Sequence, residues 1–386
     1  MAAVEIESTS FGEGDTAGCA LDEANTEAGF EAADGPADAR FRHTEVTSSL
    51  GKAACAGYLD EKLKAVEVVH YCSLFETVYC NFRSLSRHLR VDAPEIKRAS
   101  TEEETMYLIT GATGNVGSQV VEELLATGER VRSFTRDAKK VAHWGDRVEV
   151  AVGDMADAAS FRAAAKGVQA VFLMNGTLDG EAFGRLLESA KAEGVRRIVF
   201  LSSVLAALPE LVLGQVHKSK EDAIANAGFE HSFVRATTFM SNVIGQWLPS
   251  IRANGVVYNA MGAGRSTLVA PEDIAAVAAQ ALRAAPPLET VLNVTGPELL
   301  TVPEEVAVLS MVLGRPLQTV DVTIEAAAER MVQNGLPQPV AQAVAASFAA
   351  IRDGRVTEVS DTVERVTGRQ PIRFAEWAQK HAKRLA

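Results

Sequence analysis

One glycine-rich stretch, "YLITGATGNVGSQVV" from Tyr107 to Val121, constrains the fold of this chain more than any other feature. An apolar run precedes the glycines and an amphipathic run follows them, which indicates a strand, a tight turn and a helix. Such a turn lets backbone N–H groups approach a pyrophosphate at the positive end of a helix, where a side chain would block contact. The sequence therefore predicts a dinucleotide-binding loop, whose contacts we expect from Gly111, Thr113, Gly114, Asn115, Val116 and Gly117.

The end of the second predicted strand bears on which nicotinamide dinucleotide binds. A carboxylate there accepts a hydrogen bond from the ribose 2′-hydroxyl, whereas an arginine pairs with a 2′-phosphate. Here "SFTRDAKK" places Arg136 at the deciding position, with Lys139 and Lys140 close behind it and Asp137 as a competing acceptor. We expect NADPH to be preferred, with NADH as the alternative.

Two further loops follow predicted strands at the edge where the cofactor binds. "GDMAD" places Asp154 and Met155 near the adenine, and "FLMNG" places Asn175 and Gly176 near the middle of the dinucleotide. The alternative is that these residues are ordinary solvated loop ends.

Alternating strands and helices begin at Met106. The predicted strands are Tyr107–Thr110, Arg130–Thr135, Val148–Val152, Ala170–Met174, Arg197–Ser202 and His231–Arg235. This order predicts an α/β fold with a Rossmann-type, doubly wound parallel sheet over residues 106–240. Beyond residue 240 the patterns are mostly helical, so we expect a small, mainly helical C-terminal substrate lobe over 241–386, with some elements returning to the sheet.

Residues 1–105 differ from the rest. They hold 20 Asp and Glu against 10 Lys and Arg, whereas residues 106–386 hold 30 against 28, so the net charge of −12 belongs largely to this front segment. Its first half has few large apolar side chains, which predicts disorder, and residues 52–90 predict one or two amphipathic helices. The extension is either inert or a segment for partner binding or homodimer formation.

Several functional classes are excluded by composition. No apolar run approaches the roughly 18 residues of a membrane span, and a near-neutral main body argues against nucleic acid as a ligand. The acidic N-terminus is unlike a signal peptide, so we expect a cytoplasmic protein. All four cysteines lie in the front segment without a C-x-x-C pair, so we expect no metal site.

The chain resembles the NmrA-like branch of the atypical short-chain dehydrogenase/reductases over about residues 106–386. The matching segments are "ITGATGNVG", "GDMAD", "VFLMNG", "FLSS", "HKSKEDAIANAGFEHSFVRATTFMSN", "LVAPEDIAAVAAQAL" and "DTVERVTGRQPIRFAEW". The resemblance implies NAD(P)H binding and a quinone-reductase-like activity. It does not extend to residues 1–105, which match no segment of the family pattern.

The usual tyrosine and lysine of short-chain dehydrogenases are missing after the glycine loop, because the only such spacing, Tyr58 and Lys62, precedes it. In the related isoflavone-reductase-like enzymes a lysine occupies the place where this chain has His217. A histidine near the start of a helix should have a lowered pKa and can hydrogen-bond a carbonyl, and Glu221 lies one turn on to orient it. The alternative is a histidine that only shapes the pocket. Lys218 and Lys220 are expected to face solvent.

Polar and apolar residues follow the fifth and sixth predicted strands. Ser202 and Ser203 are candidates to hydrogen-bond the nicotinamide ribose or the substrate, with a strand-end capping role as the alternative. After the sixth strand we expect Thr238 beside the nicotinamide, and a substrate pocket lined by Phe239, Met240, Asn242 and Trp247. Such a wall suits a small, flat, hydrophobic acceptor.

These features predict an NADPH-dependent reductase that transfers hydride to a quinone, an enone or an imine, with His217, Ser202 and Ser203 as the catalytic candidates. The alternative is a dinucleotide sensor that binds NADP(H) and acts through a protein partner without turnover. The missing tyrosine and lysine keep this alternative open.

Overall fold

The glycine-rich stretch folds as strand, turn and helix, as its pattern predicts. The structure is a computed structural model that describes residues 105–174, 176 and 179–385, all within one compact unit. The predictions for residues 1–104 and for Asn175 lie outside the described residues. The described strands are β1 (Met106–Thr110), β2 (Arg130–Thr135), β3 (Val148–Val152), β4 (Ala170–Met174), β5 (Arg197–Ser203), β6 (Glu230–Ala236), β7 (Thr238–Phe239), β8 (Val256–Asn259), β9 (Arg265–Val269), β10 (Val291–Val294), β11 (Leu299–Thr301) and β12 (Gln318–Asp321).

The helices alternate with the strands in the first half of the described chain and predominate in the second. They are α1 (Gly117–Ala126), α2 (Ala158–Ala165), α3 (Gly180–Ala192), α4 (Val212–Asn226), α5 (Asn242–Gln246), α6 (Leu248–Asn254), α7 (Pro271–Arg283), α8 (Val302–Leu313), α9 (Ile324–Gln333), α10 (Gln338–Arg352), α11 (Thr362–Thr367), α12 (Phe374–Lys380) and α13 (Ala382–Leu385). Two 3₁₀ segments, Ala138–Arg147 and Val204–Ala207, follow β2 and β5.

Seven strands form the large sheet in the order β3-β2-β1-β4-β5-β6-β10. Every neighbouring pair is parallel, so all seven carboxyl ends meet at one edge. Reversal of the strand order between β1 and β4 is the switch point where doubly wound sheets bind ligands. The prediction of a Rossmann-type α/β fold is confirmed.

Helices cover both faces of the large sheet because its strands are apolar on both sides. On one face, Ile109 and Phe172 pack against α1 and α7. On the other face, Leu108 and Phe200 pack against α2, α3 and α4. Neighbouring residues of one strand thus enter opposite cores, as the two-residue period of a strand requires.

The C-terminal part forms a lobe with a core of its own around Met240, Ile251 and Trp377. Two small sheets, β11-β9-β7 and β12-β8, accompany its helices. The chain also returns to the large sheet beyond residue 240, because α7 packs on one face and β10 extends one edge. Whether residue 240 divides two domains stays a prediction.

Among the described residues no helix is long and apolar enough to cross a membrane.

Candidate active site

The turn after β1 is built from close backbone contacts that only glycine allows. Gly111 has a φ of 65°, and the Gly114 N–H donates to Gly111 O at 2.9 Å. A Cβ on Gly117 would lie 2.3 Å from Gly111 O, so α1 begins directly against the turn. The exposed residues of the turn are Thr113, Gly114 and Asn115.

The side chains of Asn115 and Val116 connect this turn to the rest of the protein. Asn115 Nδ2 donates to Ser241 Oγ in the lobe at 3.2 Å. The side chain of Val116 is buried in the core beneath the sheet, so only its backbone is available to a nucleotide. The turn therefore offers backbone N–H groups and two short polar side chains.

The predicted cofactor residues of the next loops lie in strand order along the same edge. Arg136 is exposed after β2, whereas the Asp137 carboxylate accepts the Lys139 N–H at 2.9 Å and caps the following 3₁₀ segment. Asp154 in turn accepts from the Ala156 N–H at 3.0 Å. A Cβ on Gly176 would lie 3.5 Å from Met155 Cε, which places these two residues side by side.

A cavity of about 350 Å³ opens at the carboxyl ends of β5 and β6. It brings together six of the predicted residues, namely Ser202, Ser203, His217, Thr238, Phe239 and Asn242. The other lining residues are Met174, Leu201, Val204, Leu205, Ala236, Thr237, Ser347, Ile351 and Val356.

Two residues expected in the cavity wall lie elsewhere. Met240 is 0% exposed in the core of the lobe, and its N–H donates to Val269 O at 2.9 Å. Trp247, between α5 and α6, packs against the same core. Both contribute their large apolar side chains to the core of the lobe and are absent from the cavity lining.

The two serines at the end of β5 have opposite hydrogen-bond roles. Ser202 Oγ donates to Glu221 Oε1 at 2.6 Å inside the protein, so its proton is committed. Ser203 Oγ accepts the Leu205 N–H at 3.2 Å, which leaves its own proton available. Toward the cavity, Ser203 can therefore donate, whereas Ser202 can only accept.

Glu221 was expected to orient His217, but its carboxylate is held by other groups. Its oxygens accept from Arg235 Nε at 2.8 Å and Nη2 at 2.5 Å as well as from Ser202. Glu221 is almost fully buried, and this fork of charge-assisted bonds compensates its charge. The Glu221 carboxylate, held by Arg235, therefore accepts the hydrogen bond of Ser202 directly.

His217 lies in the second turn of α4, not in the first turn as expected. Its ring lies 6.4 Å from the ring centroid of Phe200. Burial, and then the positive charge of Lys220, lower the pKa of His217 to about 4. The lowered pKa was expected from the helix start, but its cause is the surroundings of the ring. At neutral pH the imidazole is uncharged and offers one N–H donor.

Lys220 was expected to face solvent, and the structure corrects this. Its side chain is 5% exposed, and Nζ donates to Gly176 O at 2.6 Å and lies 5.4 Å from the centroid of the Phe183 ring. Burial lowers the pKa of this lysine. Lys218, by contrast, pairs with Asp222 on the exposed side of α4. A helical count back from Ile224 places Lys220 and Glu221 on the inner face, and this was the available signal.

Three lining residues that were not expected from the sequence come from distant parts of the chain. Ser347, Ile351 and Val356 come from α10 and the segment after it, far along the chain. Thr237 also lines the cavity, and in the described part of the chain its enclosed Oγ1 has no hydrogen-bond partner. No local pattern marks the first three, since only the tertiary fold brings them to the sheet edge.

Comparison with known proteins places this architecture among reductases. A model of the NmrA-like family matches residues 103–378. A (4-alkanoyl-5-oxo-2,5-dihydrofuran-3-yl)methyl phosphate reductase of Streptomyces griseus is 36% identical over 73% of this chain and 99% of its own length. An NAD(P)H azoreductase of Xenophilus azovorans is 33% identical over 72% of this chain and 98% of its own length.

A solved structure is similar as well. An NADPH-dependent quinone oxidoreductase from Escherichia coli has a TM-score of 0.63 and 25% identity, covering 72% of this chain and 99% of that chain. The family match spans well over half of the sequence and coincides with the described unit. The chain therefore belongs to the NmrA-like family.

Proposed function

We propose that this NAD(P)H-dependent oxidoreductase uses NADPH to reduce a small, flat, electron-poor acceptor, such as a quinone, an enone or an imine. Met174 carries the proposal, because it contacts the glycine turn and also lines the cavity. A Cβ on Gly111 would approach its Sδ to 2.2 Å. A dinucleotide on the turn and an acceptor in the cavity would therefore be neighbours.

The chain's own residues fit NADPH. The glycine turn leaves backbone N–H groups open to a pyrophosphate. Arg136 is exposed where a 2′-phosphate would lie, whereas Asp137, the competing acceptor, is already used as a cap. The names of the relatives from Xenophilus azovorans and Escherichia coli support the same cofactor. When bound, NADPH would supply the hydride.

The cavity residues would hold the acceptor and its oxygen. Ser203 would donate its hydroxyl proton to an acceptor carbonyl, and the neutral imidazole of His217 would offer a second donor. Hydrogen-bond donors at this oxygen would favour the negative charge that develops there during reduction. The apolar side chains around them would exclude water and align the ring of the acceptor.

The test is consumption of NADPH by the full chain with a panel of quinones, enones and imines, beside an NADPH binding titration. We expect His217→Ala to lower kcat/KM by about 10- to 1000-fold with NADPH affinity unchanged. His143, exposed on the 3₁₀ segment after β2, supplies the control His143→Ala, which should leave both quantities unchanged.

Tight NADPH binding without consumption across the panel would refute the reductase proposal. It would favour a dinucleotide sensor that acts through a protein partner. Turnover that survives in His217→Ala would retain the reductase and remove this histidine from the reaction.

A further inference from the structure

The cavity wall carries no formal charge among the described residues. Its polar members are serines, threonines, Asn242 and His217, and none of the lining residues is an aspartate, glutamate, lysine or arginine. His217 is uncharged at neutral pH. The sequence positions between Met174 and Asp179 that the structure does not describe are Asn175, Thr177 and Leu178, which are also uncharged.

Three cations close in sequence to lining residues of the cavity already have partners. The Arg235 guanidinium is bound to the Glu221 carboxylate, and Lys220 Nζ donates to Gly176 O. Arg355, which follows α10, pairs with Glu210 on the loop before α4. An anionic group in the cavity would have to compete with these partners for a counter-charge.

Several of the lining side chains are apolar. Leu205 comes from the 3₁₀ segment after β5, Phe239 from β7, and Ile351 and Val356 from α10 and the segment after it. They share the lining with side chains that can donate hydrogen bonds, such as Ser203, Asn242 and His217. Such a lining suits a molecule that has both a carbonyl and a hydrocarbon surface.

We infer that the acceptor is uncharged in the part that enters this cavity, so the chain reduces neutral acceptors and rejects phosphorylated ones. The inference rests on the proposed function and specifies its substrate class. It separates this chain from the Streptomyces griseus relative, whose name gives a phosphate ester as its substrate. In that ester the phosphate is one methylene from the C=C bond of the furanone ring.

The physical reason is the cost of moving a phosphate out of water. A phosphate monoester carries about −1.5 to −2 charges at neutral pH. Burial of such a group without a cation leaves its charge uncompensated, which proteins avoid. Because the phosphate is one methylene from the double bond, it would approach the uncharged cavity wall whenever that bond reaches the nicotinamide.

The experiment compares three furanones with the full chain. One is the 4-alkanoyl-3-hydroxymethyl furanone, the second is its phosphate ester, and the third is its acetate ester, which adds bulk without charge. In each, the C=C bond would gain a hydride from NADPH, which becomes NADP⁺, and a proton from solvent. We expect the phosphate to have a kcat/KM on the order of 100-fold below that of the acetate ester.

A substitution tests whether charge is the cause. Ser347 lines the cavity and lies on α10, so Ser347→Lys would add a cation to the wall. We expect this variant to reduce the preference for the acetate ester over the phosphate at least several-fold. Equal or better use of the phosphate by the unaltered chain would overturn the inference.

Binding to the NADP⁺ complex, measured by calorimetry, keeps the two proposals apart. If no furanone and no quinone is reduced, the proposed function fails, and the binding measurement alone decides the charge preference. Binding of the neutral furanones without the phosphate supports the inference. Binding of the phosphate as tightly as the acetate ester, or binding of none of the three, refutes it.

Discussion

Ser202 and Ser203 show how one residue step decides the chemistry of a side chain. Both belong to β5 and both line the cavity, but they face different hydrogen-bond partners. The Glu221 carboxylate takes the proton of Ser202, whereas a backbone N–H occupies a lone pair of Ser203. The Ser202 hydroxyl therefore donates its proton within the protein, whereas the Ser203 hydroxyl can donate its proton toward the cavity.

Alanine at each serine should produce opposite losses. Ser203→Ala removes a donor to the acceptor oxygen, so we expect kcat/KM to fall by about 10-fold with little change in unfolding free energy. Ser202→Ala deprives the buried Glu221 of a partner, so we expect a loss of about 1–3 kcal/mol in stability. Steady-state kinetics and urea unfolding of both variants check this. The reverse pattern would contradict the assigned roles.

Lys220 should contribute to the lowered pKa of its neighbour His217. Its positive charge is the second cause of the lowered pKa after burial, so Lys220→Met should raise the pKa of His217 above about 4. The rise should be partial, because burial remains. A pH titration of the His217 ring by NMR measures it directly. Lys218→Met, on the exposed side of the same helix, is the matched control, and an equal shift in both variants would refute the assignment.

At the scale of elements, two glycines in helices have opposite requirements. Gly117 starts α1 against the turn, and an added Cβ would lie 2.3 Å from Gly111 O. Gly184 lies within α3, where an added Cβ would meet nothing within 4 Å. Close packing requires a glycine at position 117, whereas the glycine at position 184 only lowers the stability of its helix.

Alanine at these two positions should therefore change stability in opposite directions. We expect Gly117→Ala to destabilise the protein by about 1–3 kcal/mol and to abolish NADPH binding, because α1 must move away from the turn. Gly184→Ala should stabilise it by about 0.5–1 kcal/mol and leave binding unchanged. Urea unfolding and a cofactor titration measure both effects. A neutral Gly117→Ala would show that the turn tolerates a wider separation.

The elements also show what a sequence can predict. The strands of the large sheet up to β6 were predicted to within one residue at each end, because each is a short segment with continuous or alternating apolar residues between turn signals. Lys220 was misplaced because its charge was weighted above the helical period of its neighbours. Ile351 and Val356 were missed because their approach to the sheet edge depends on contacts distant in sequence. Local pattern thus predicts the strands and the glycine turn better than the lining of the cavity.

At the scale of the whole molecule, two buried acids lie outside the site. The Asp273 carboxylate at the start of α7 accepts the Ile372 N–H at 2.8 Å. This bond links the C-terminal segment to α7, which covers one face of the large sheet. Glu305, in α8, is 2% exposed. Burial raises the pKa of Asp273 to about 6 and that of Glu305 to about 8. Both acids therefore hold their protons more tightly in the folded protein than in the unfolded chain.

This proton preference gives global stability a predictable pH dependence. A raised folded pKa means that the folded state binds more protons, so the contribution of these groups decreases as pH rises. For Asp273 the loss falls between pH 3.8 and about 6, and for Glu305 between pH 4.5 and about 8. Glu305→Gln should therefore flatten the decline of unfolding free energy up to pH 8, and make the variant more stable than the unaltered chain at that pH.

The neighbouring residue Glu304 supplies a control of opposite sign. Hydrogen bonds from Thr301 and Arg265 lower the pKa of Glu304, so its contribution is present above its ordinary pKa and is lost as pH falls. Glu304→Gln should reduce stability at neutral pH and approach the unaltered chain in acid. Urea unfolding from pH 3 to pH 8 with both variants tests the pair. If Glu305→Gln destabilised the protein at pH 8, the buried carboxyl would be a stabilising partner and the argument from its burial would be wrong.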